Sequence, residues 1–120
     1  MRLLALRGAI TCEVDTKAEI ASKTQRLVAE MLARNEIAHD DLVSIIFTAT
    51  DDLHSEFPAT AARALGLGDV PLLCARELDI AHGMPRCVRV MMHFYGTQAR
   101  GELHHVYLEG ARALRDDLPE

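Results

Sequence analysis

Two stretches constrain the fold more than any other feature. Residues 2–12 put Leu4 and Leu6 on one face and Leu3, Ala5 and Arg7 on the other; Cys87 to Phe94 puts Val88, Val90 and Met92 opposite Cys87, Arg89 and Met91. Strands that are apolar on both alternating faces are expected at the centre of a sheet with cover on each side. Each stretch carries one arginine among apolar neighbours. Burying a lone charge is costly. Each arginine therefore sits on the solvated face of an edge strand, or the two together line an anion pocket; their shared setting favours the pocket.

The other elements follow from pattern. Thr16 and Glu19 form a T-x-x-E capping box ahead of a stripe of Ile20, Leu27 and Met31, which predicts a helix ending near Arg34-Asn35. Leu42 to Thr48 is β-branched and apolar, a second buried strand. Phe57-Pro58 opens a second helix that Gly66 and Gly68 stop. Val70 to Cys74 is a short strand, and Pro71 makes it an edge. His104 to Leu108 reads as a strand, while residues 109–115 fit helix or strand. The order β-α-β-α-β-β-β predicts an α+β (mixed α/β) fold, one domain over residues 1–120 with a mixed sheet packed by helices.

Composition narrows the function. Hydrophobic residues make up 49% and charged residues 26% of 120, which excludes disorder as the main state. No apolar run reaches the ~20 residues of a membrane-spanning helix, and residues 1–10 make no convincing secretory signal. A net charge of −5 speaks against nucleic acid and anionic membrane as partners. Three cysteines without C-x-x-C spacing give neither a disulfide framework nor a zinc site, so a cytoplasmic location with reduced thiols is expected. Eleven of the 13 basic residues are arginine, whose fork grips carboxylates.

Candidate chemistry is sparse. Glu77 reads equally as a strand-end carboxylate or a ligand for a substrate hydroxyl. Cys74 reads as a small core residue more readily than as a nucleophile. His54 with Asp51 and Asp52, and the His104-His105 pair, point only weakly to metal, since neither H-x-x-x-H nor H-E-x-x-H occurs. Arg2, Arg76, Arg86, Arg100, Arg112 and Arg115 read as surface charges.

Taken in order, Arg7-Gly8-Ala9, Phe57-Pro58-Ala59 with Arg63, Cys74 with Glu77-Leu78-Asp79, Cys87-Val88-Arg89-Val90-Met91-Met92 and His105-Val106-Tyr107-Leu108-Glu109 closely resemble the AroH-class, Bacillus-type chorismate mutases, from Arg7 to about Leu118. The resemblance implies a homotrimer with a pseudo-α/β-barrel core and active sites shared between adjacent subunits. It implies rearrangement of chorismate to prephenate with no cofactor and no metal. Arg7, Cys74, Glu77, Arg89 and Tyr107 would come from one subunit, with Arg7, Glu77 and Arg89 as the catalytic set. Phe57, Ala59, Arg63, Leu72 and Leu73 would come from the neighbour; Thr60 and Leu114 join the substrate-binding set.

Two positions depart from the family pattern. Thr60 stands where the best-known member carries Lys, and Leu73 where a Thr is found, which affects affinity more than chemistry. A C-terminal cover over the site is expected to be short. The alternative reading is a non-catalytic trimeric protein binding small anions on the same scaffold; a deaminase-like trimer is a third, and would need a water-activating group. Strict alternation puts Cys74 and Glu77 on opposite strand faces, so both line one site only if the strand bends or ends between them.

Overall fold

The computed structural model describes residues 1–115, with only the backbone of Arg115. Its elements are β1 (Arg2–Thr11), α1 (Lys17–Arg34), β2 (Leu42–Ala49), α2 (Pro58–Ala64), β3 (Leu72–Arg76), β4 (Cys87–Gly96) and β5 (Val106–Leu108), with 3₁₀ turns at His39–Asp41, Arg100–Glu102 and Glu109–Arg115. Residues 109–115 are thus neither strand nor α-helix. The expected C-terminal cover falls on residues 116–120, outside the described residues, as does the Arg115 side chain.

The five strands form one mixed sheet in the order β3-β2-β4-β1-β5. β4 pairs antiparallel with both β1 and β2, while β3 and β5 join the edges in parallel. The long two-sided strands β1 and β4 are interior, and Pro71 precedes an edge strand, where its missing N–H leaves no rung unmade. The Pro71 carbonyl still accepts from the Ile45 N–H at 3.0 Å. Val70 lies before β3 and packs in the core instead.

Helix α1 begins as its sequence signals. Thr16 Oγ1 accepts from the Glu19 N–H at 3.1 Å. The reciprocal half of the expected box is not made: the Glu19 carboxylate accepts from the Glu13 N–H at 2.7 Å, which pins the chain just ahead of the helix. Asn35 caps the other end and ties it to the β5 side. Its amide nitrogen donates to the Met31 and His104 carbonyls, and its oxygen accepts from the His104 N–H.

The main core lies between one sheet face and the helices. Leu6, Ile10, Ile45, Phe47, Val88, Met92, Phe94 and Val106 meet Ile20, Leu27, Val28 and Met31 of α1, together with Ala59 and Ala62 of α2. Of the cover expected on both faces, α1 and α2 supply one side. The other is covered at Ala9, Cys87 and Tyr107 by the 109–115 turn, and beyond it presents Leu3, Ala5, Arg7, Ile46, Leu73, Met91, His93 and Tyr95. Leu3 is 57% exposed, Leu73 61% and Tyr95 47%. These three leave apolar surface exposed on that face.

Gly8 sets how closely α1 approaches the sheet. A Cβ there would meet Met31 Sδ at 2.6 Å and Leu27 Cδ1 at 3.1 Å. Gly8→Val is therefore expected to destabilise the fold by about 1–3 kcal/mol through overpacking. Its urea midpoint should fall, and the double variant with Met31→Ala should recover part of the loss. An unchanged midpoint would show that the helix moves away without cost.

Candidate active site

The register of the sheet brings the two strand arginines together. Arg7 faces Met91 and Ala9 faces Arg89, so the arginines are diagonal neighbours across the β1–β4 pair, on the uncovered face. Thr48 lies opposite Arg89 on the other side of β4. Tyr107 lies opposite Ala9 on β5. These residues, with Ile46, Glu77 and Met91, line a cleft of about 240 Å³.

Glu77, the residue after β3, continues the alternation of Leu73 and Ala75 and so faces the cleft. The Glu77 N–H donates to the Ala49 carbonyl at 3.0 Å, one more rung of the parallel β2–β3 pairing. From there Glu77 Oε2 accepts from Thr48 Oγ1 at 2.5 Å and lies 3.5 Å from Arg89 Nε. The Glu77 side chain is 23% exposed and that of Arg89 44%. The guanidinium is therefore held at one edge and remains accessible to a ligand.

Cys74 does not join this group. Its side chain follows strict alternation onto the helix-side core, next to Phe47, its partner in β2. It lines a second, larger cavity of about 660 Å³ together with Phe57, Pro58, Arg76 and residues 49–51 and 53–56. Phe57 is 68% exposed at the start of α2. Asp15 anchors the preceding loop: its Oδ1 accepts from the His54 and Ser55 N–H groups, each at 3.0 Å. Partial burial of the Asp15 carboxyl opposes ionisation, but those hydrogen bonds outweigh it and hold the group below the usual carboxylate range. His54 pairs with this Asp15 at 3.2 Å rather than with Asp51 or Asp52. Asp51 instead takes both prongs of Arg76, at 3.1 and 2.7 Å.

The other sequence-selected positions are spread out. Ala59 is buried in α2, Thr60 Oγ1 donates to Glu56 Oε1 at 3.4 Å, and Arg63 is exposed on the same helix. Leu72 packs on the helix-side core, whereas Leu73 is exposed on the uncovered face, opposite Ile46. Leu114 packs on a small cluster of Ala9, Cys87, Tyr107 and Ala111 beside the cleft. Burial pushes the Cys87 thiol up to about 11, with nearby Arg89 opposing, so it remains protonated at neutral pH.

Two residues of the site escaped the sequence reading. Thr48 shares the phase of Ile46 and so shares its face, but its link to Glu77 depends on the register of β2 with β3. His105 does not pair with His104; its Nδ1 accepts from the Arg7 backbone N–H at 3.0 Å.

The arrangement is two guanidinium groups, one carboxylate and one phenol around an open cleft. It suits binding of a polar anion and stabilisation of negative charge that develops during a reaction. The cleft alone is smaller than the roughly 300–1,000 Å³ typical of ligand pockets.

Comparison with known proteins identifies the family. The family described as chorismate mutase type I matches residues 3–118. The chain is 40% identical over 119 residues to chorismate mutase AroH of Bacillus subtilis (strain 168), covering 98% of this chain and 94% of that protein. It is 44% identical over 114 residues to chorismate mutase AroH of Thermus thermophilus, covering 94% and 93% respectively. Among solved structures, a chorismate mutase from Clostridium thermocellum superposes with a TM-score of 0.90 at 43% identity, covering 92% of this chain and 98% of the other. With a match across almost its full described length, the chain belongs to the chorismate mutase type I family.

Proposed function

We propose that this protein is a chorismate mutase: it rearranges chorismate to prephenate by positioning the substrate and stabilising charge, in a homotrimer with active sites completed between subunits. The observation that carries the reading is the convergence of Arg7, Arg89, Glu77 and Tyr107 on one cleft of the uncovered sheet face.

The chemistry fits this donor set. Chorismate is a dianion, and the rearrangement is unimolecular and pericyclic. A C–O bond breaks as a C–C bond forms, negative charge grows on the ether oxygen, and no proton is transferred. Arg89 is assigned to the ether oxygen. A guanidinium already held by Glu77 needs little reorganisation as charge develops, so it stabilises the transition state more than the ground state. Glu77 holds the ring hydroxyl, and Arg7 with Tyr107 grips a carboxylate. Thr48 is a positioning residue: its hydroxyl orients Glu77.

The trimer reading rests on two observations. The sheet presents an apolar face that its own helices leave bare. The cleft is small, while Phe57 and Arg63 stand exposed at a different place on the chain. A neighbouring copy would cover that face and supply Phe57, Ala59, Thr60, Arg63, Leu72 and Leu73 as the second wall. This wall holds the folded, reactive conformer, which is catalysis by orientation. Cys74 lines the cavity beside Phe57 and contributes to shape, not as a nucleophile. Cytoplasmic location is part of the same reading; no helix among the described residues is long and apolar enough to cross a membrane.

Loss of chorismate absorbance in metal-free buffer, confirmed by acid conversion of prephenate to phenylpyruvate, tests the activity. Turnover is expected near neutral pH; its absence from the folded protein refutes the assignment. Arg89→Ala is expected to lower kcat by roughly 10²–10³ or more with the fold retained, as for loss of a preorganised donor. Thr48→Val should raise KM about tenfold, the effect of one hydrogen bond on a charged group, while Thr48→Ser stays near the parent. Equal loss in both Thr48 variants would show that the hydroxyl has no role. Arg63→Ala and Arg89→Ala chains should each be inactive alone and regain turnover when unfolded and refolded together, because some sites then combine two intact halves. No recovery would place each site within a single chain.

A further inference from the structure

β5 pairs with β1 in parallel at Gly8↔Val106, Ala9↔Tyr107 and Ile10↔Leu108. Continued one step back, this register sets residue 105 beside Arg7, where the strand pairing has already ended. The next rung is made by a side chain. His105 Nδ1 accepts the Arg7 backbone N–H at 3.0 Å. An amide N–H can only donate, so Nδ1 must offer its lone pair and the ring must be neutral with its proton on Nε2.

We propose that His105 is a positioning residue for Arg7: the neutral ring holds the Arg7 backbone and thereby aims its guanidinium at the substrate, and protonation of the ring releases it, so that substrate binding is acid-sensitive although the rearrangement moves no proton. This rests on the assignment of Arg7 as a carboxylate ligand. An extended strand edge with no partner can shift, and a small displacement at the backbone is magnified at the end of a long arginine side chain. His105 replaces the missing partner.

The surroundings favour the neutral ring at physiological pH. Burial lowers the imidazole pKa from its ordinary 6.5, and the Arg7 guanidinium acts in the same direction. Glu109, four residues along the chain, is engaged by Arg26 at 2.8 Å and Lys23 at 3.6 Å, both of α1. Asn35 at the end of α1 bonds the His104 backbone and carries no charge. The sign follows: because the folded-state pKa is lowered, the bond is complete above the ordinary imidazole value and is lost as pH falls through the lowered one.

Three chains test this: the parent, His105→Asn and His105→Leu. The Asn side chain puts its Oδ1 near the place of Nδ1, so it accepts the same N–H and does not titrate. In the parent, KM for chorismate should rise as pH falls from about 7.5 to about 5, with kcat almost level. In His105→Asn, KM should remain near the parent's neutral value throughout. In His105→Leu it should be about tenfold higher already at neutral pH and change little with acid. An acid limb that persists in His105→Asn, or tight neutral binding by His105→Leu, overturns the proposal.

A second readout does not depend on chorismate. At one fixed pH near neutral, the Arg7 amide hydrogen should exchange slowly in the parent and in His105→Asn, and faster in His105→Leu. Equally slow exchange in the Leu variant overturns the proposal. Should the Leu variant not fold, faster Arg7 exchange in His105→Asn than in the parent overturns it. A parent protein that fails to turn over chorismate would refute the mutase reading separately, while the exchange data still decide whether His105 holds Arg7.

Discussion

The antiparallel pairing of β1 with β4 is the contact on which the site depends. It runs unbroken for ten rungs, from Arg2↔Gly96 to Thr11↔Cys87. Side-chain direction alternates along both strands, so one slip of register would send Arg7 or Arg89 to the opposite face. The buried partners prevent that slip. Leu6, Ile10, Val88 and Met92 are fully buried on the helix side, and moving any of them to the outer face would expose it while burying a charge. The hydrophobic core therefore fixes the arginines without touching them. Gly8 contributes from the same strand, because its lack of a side chain lets α1 close down beside Arg7.

Electrostatics on that face are unbalanced by design of the register. Two arginines stand diagonally across the strand pair, roughly 7–8 Å apart at the backbone. Among the described residues one carboxylate, Glu77, lines the cleft, and it leans on Arg89. A protein with net charge −5 thus keeps a local excess of positive charge at this cleft. Thr48 leaves Glu77 directed rather than free to collapse fully onto Arg89: the 2.5 Å hydrogen bond from its hydroxyl is shorter than the 3.5 Å ion-pair contact to the same oxygen. The guanidinium keeps N–H groups for a ligand, which a closed bidentate pair would have consumed.

Much of this was legible in the residues alone. The apolar phase of β1, β2 and β4, the cap of α1 and the Pro71 edge each follow from local physics, and all appear in the structure. The arginines were conspicuous because they interrupt apolar strands. What stayed hidden depends on non-local geometry. Two-sided apolar strands implied cover, but the sequence does not say whether a helix of the same chain or a second copy provides it. Strict alternation separates Cys74 from Glu77, as observed, but which of the two faces carries the cleft depends on the pairing of β2 with β3 and β4. His105 looked like half of a histidine pair, whereas its partner is a backbone amide 98 residues away in the chain.

The bare sheet face and the small cleft are two sides of one constraint. A reaction that needs only orientation and fixed charge benefits from exclusion of water, since each contact with the substrate is stronger in a dry site. Among the described residues, α1 and α2 do not reach the face that carries Arg7 and Arg89, and the 109–115 turn covers only its edge at Ala9, Cys87 and Tyr107. The same face exposes Leu3, Leu73 and Tyr95, whose burial against another subunit would supply the driving force for association. Assembly and closure of the active site would then be a single event. On that account an assembly that covers this face would place its interface and the cleft on the same surface.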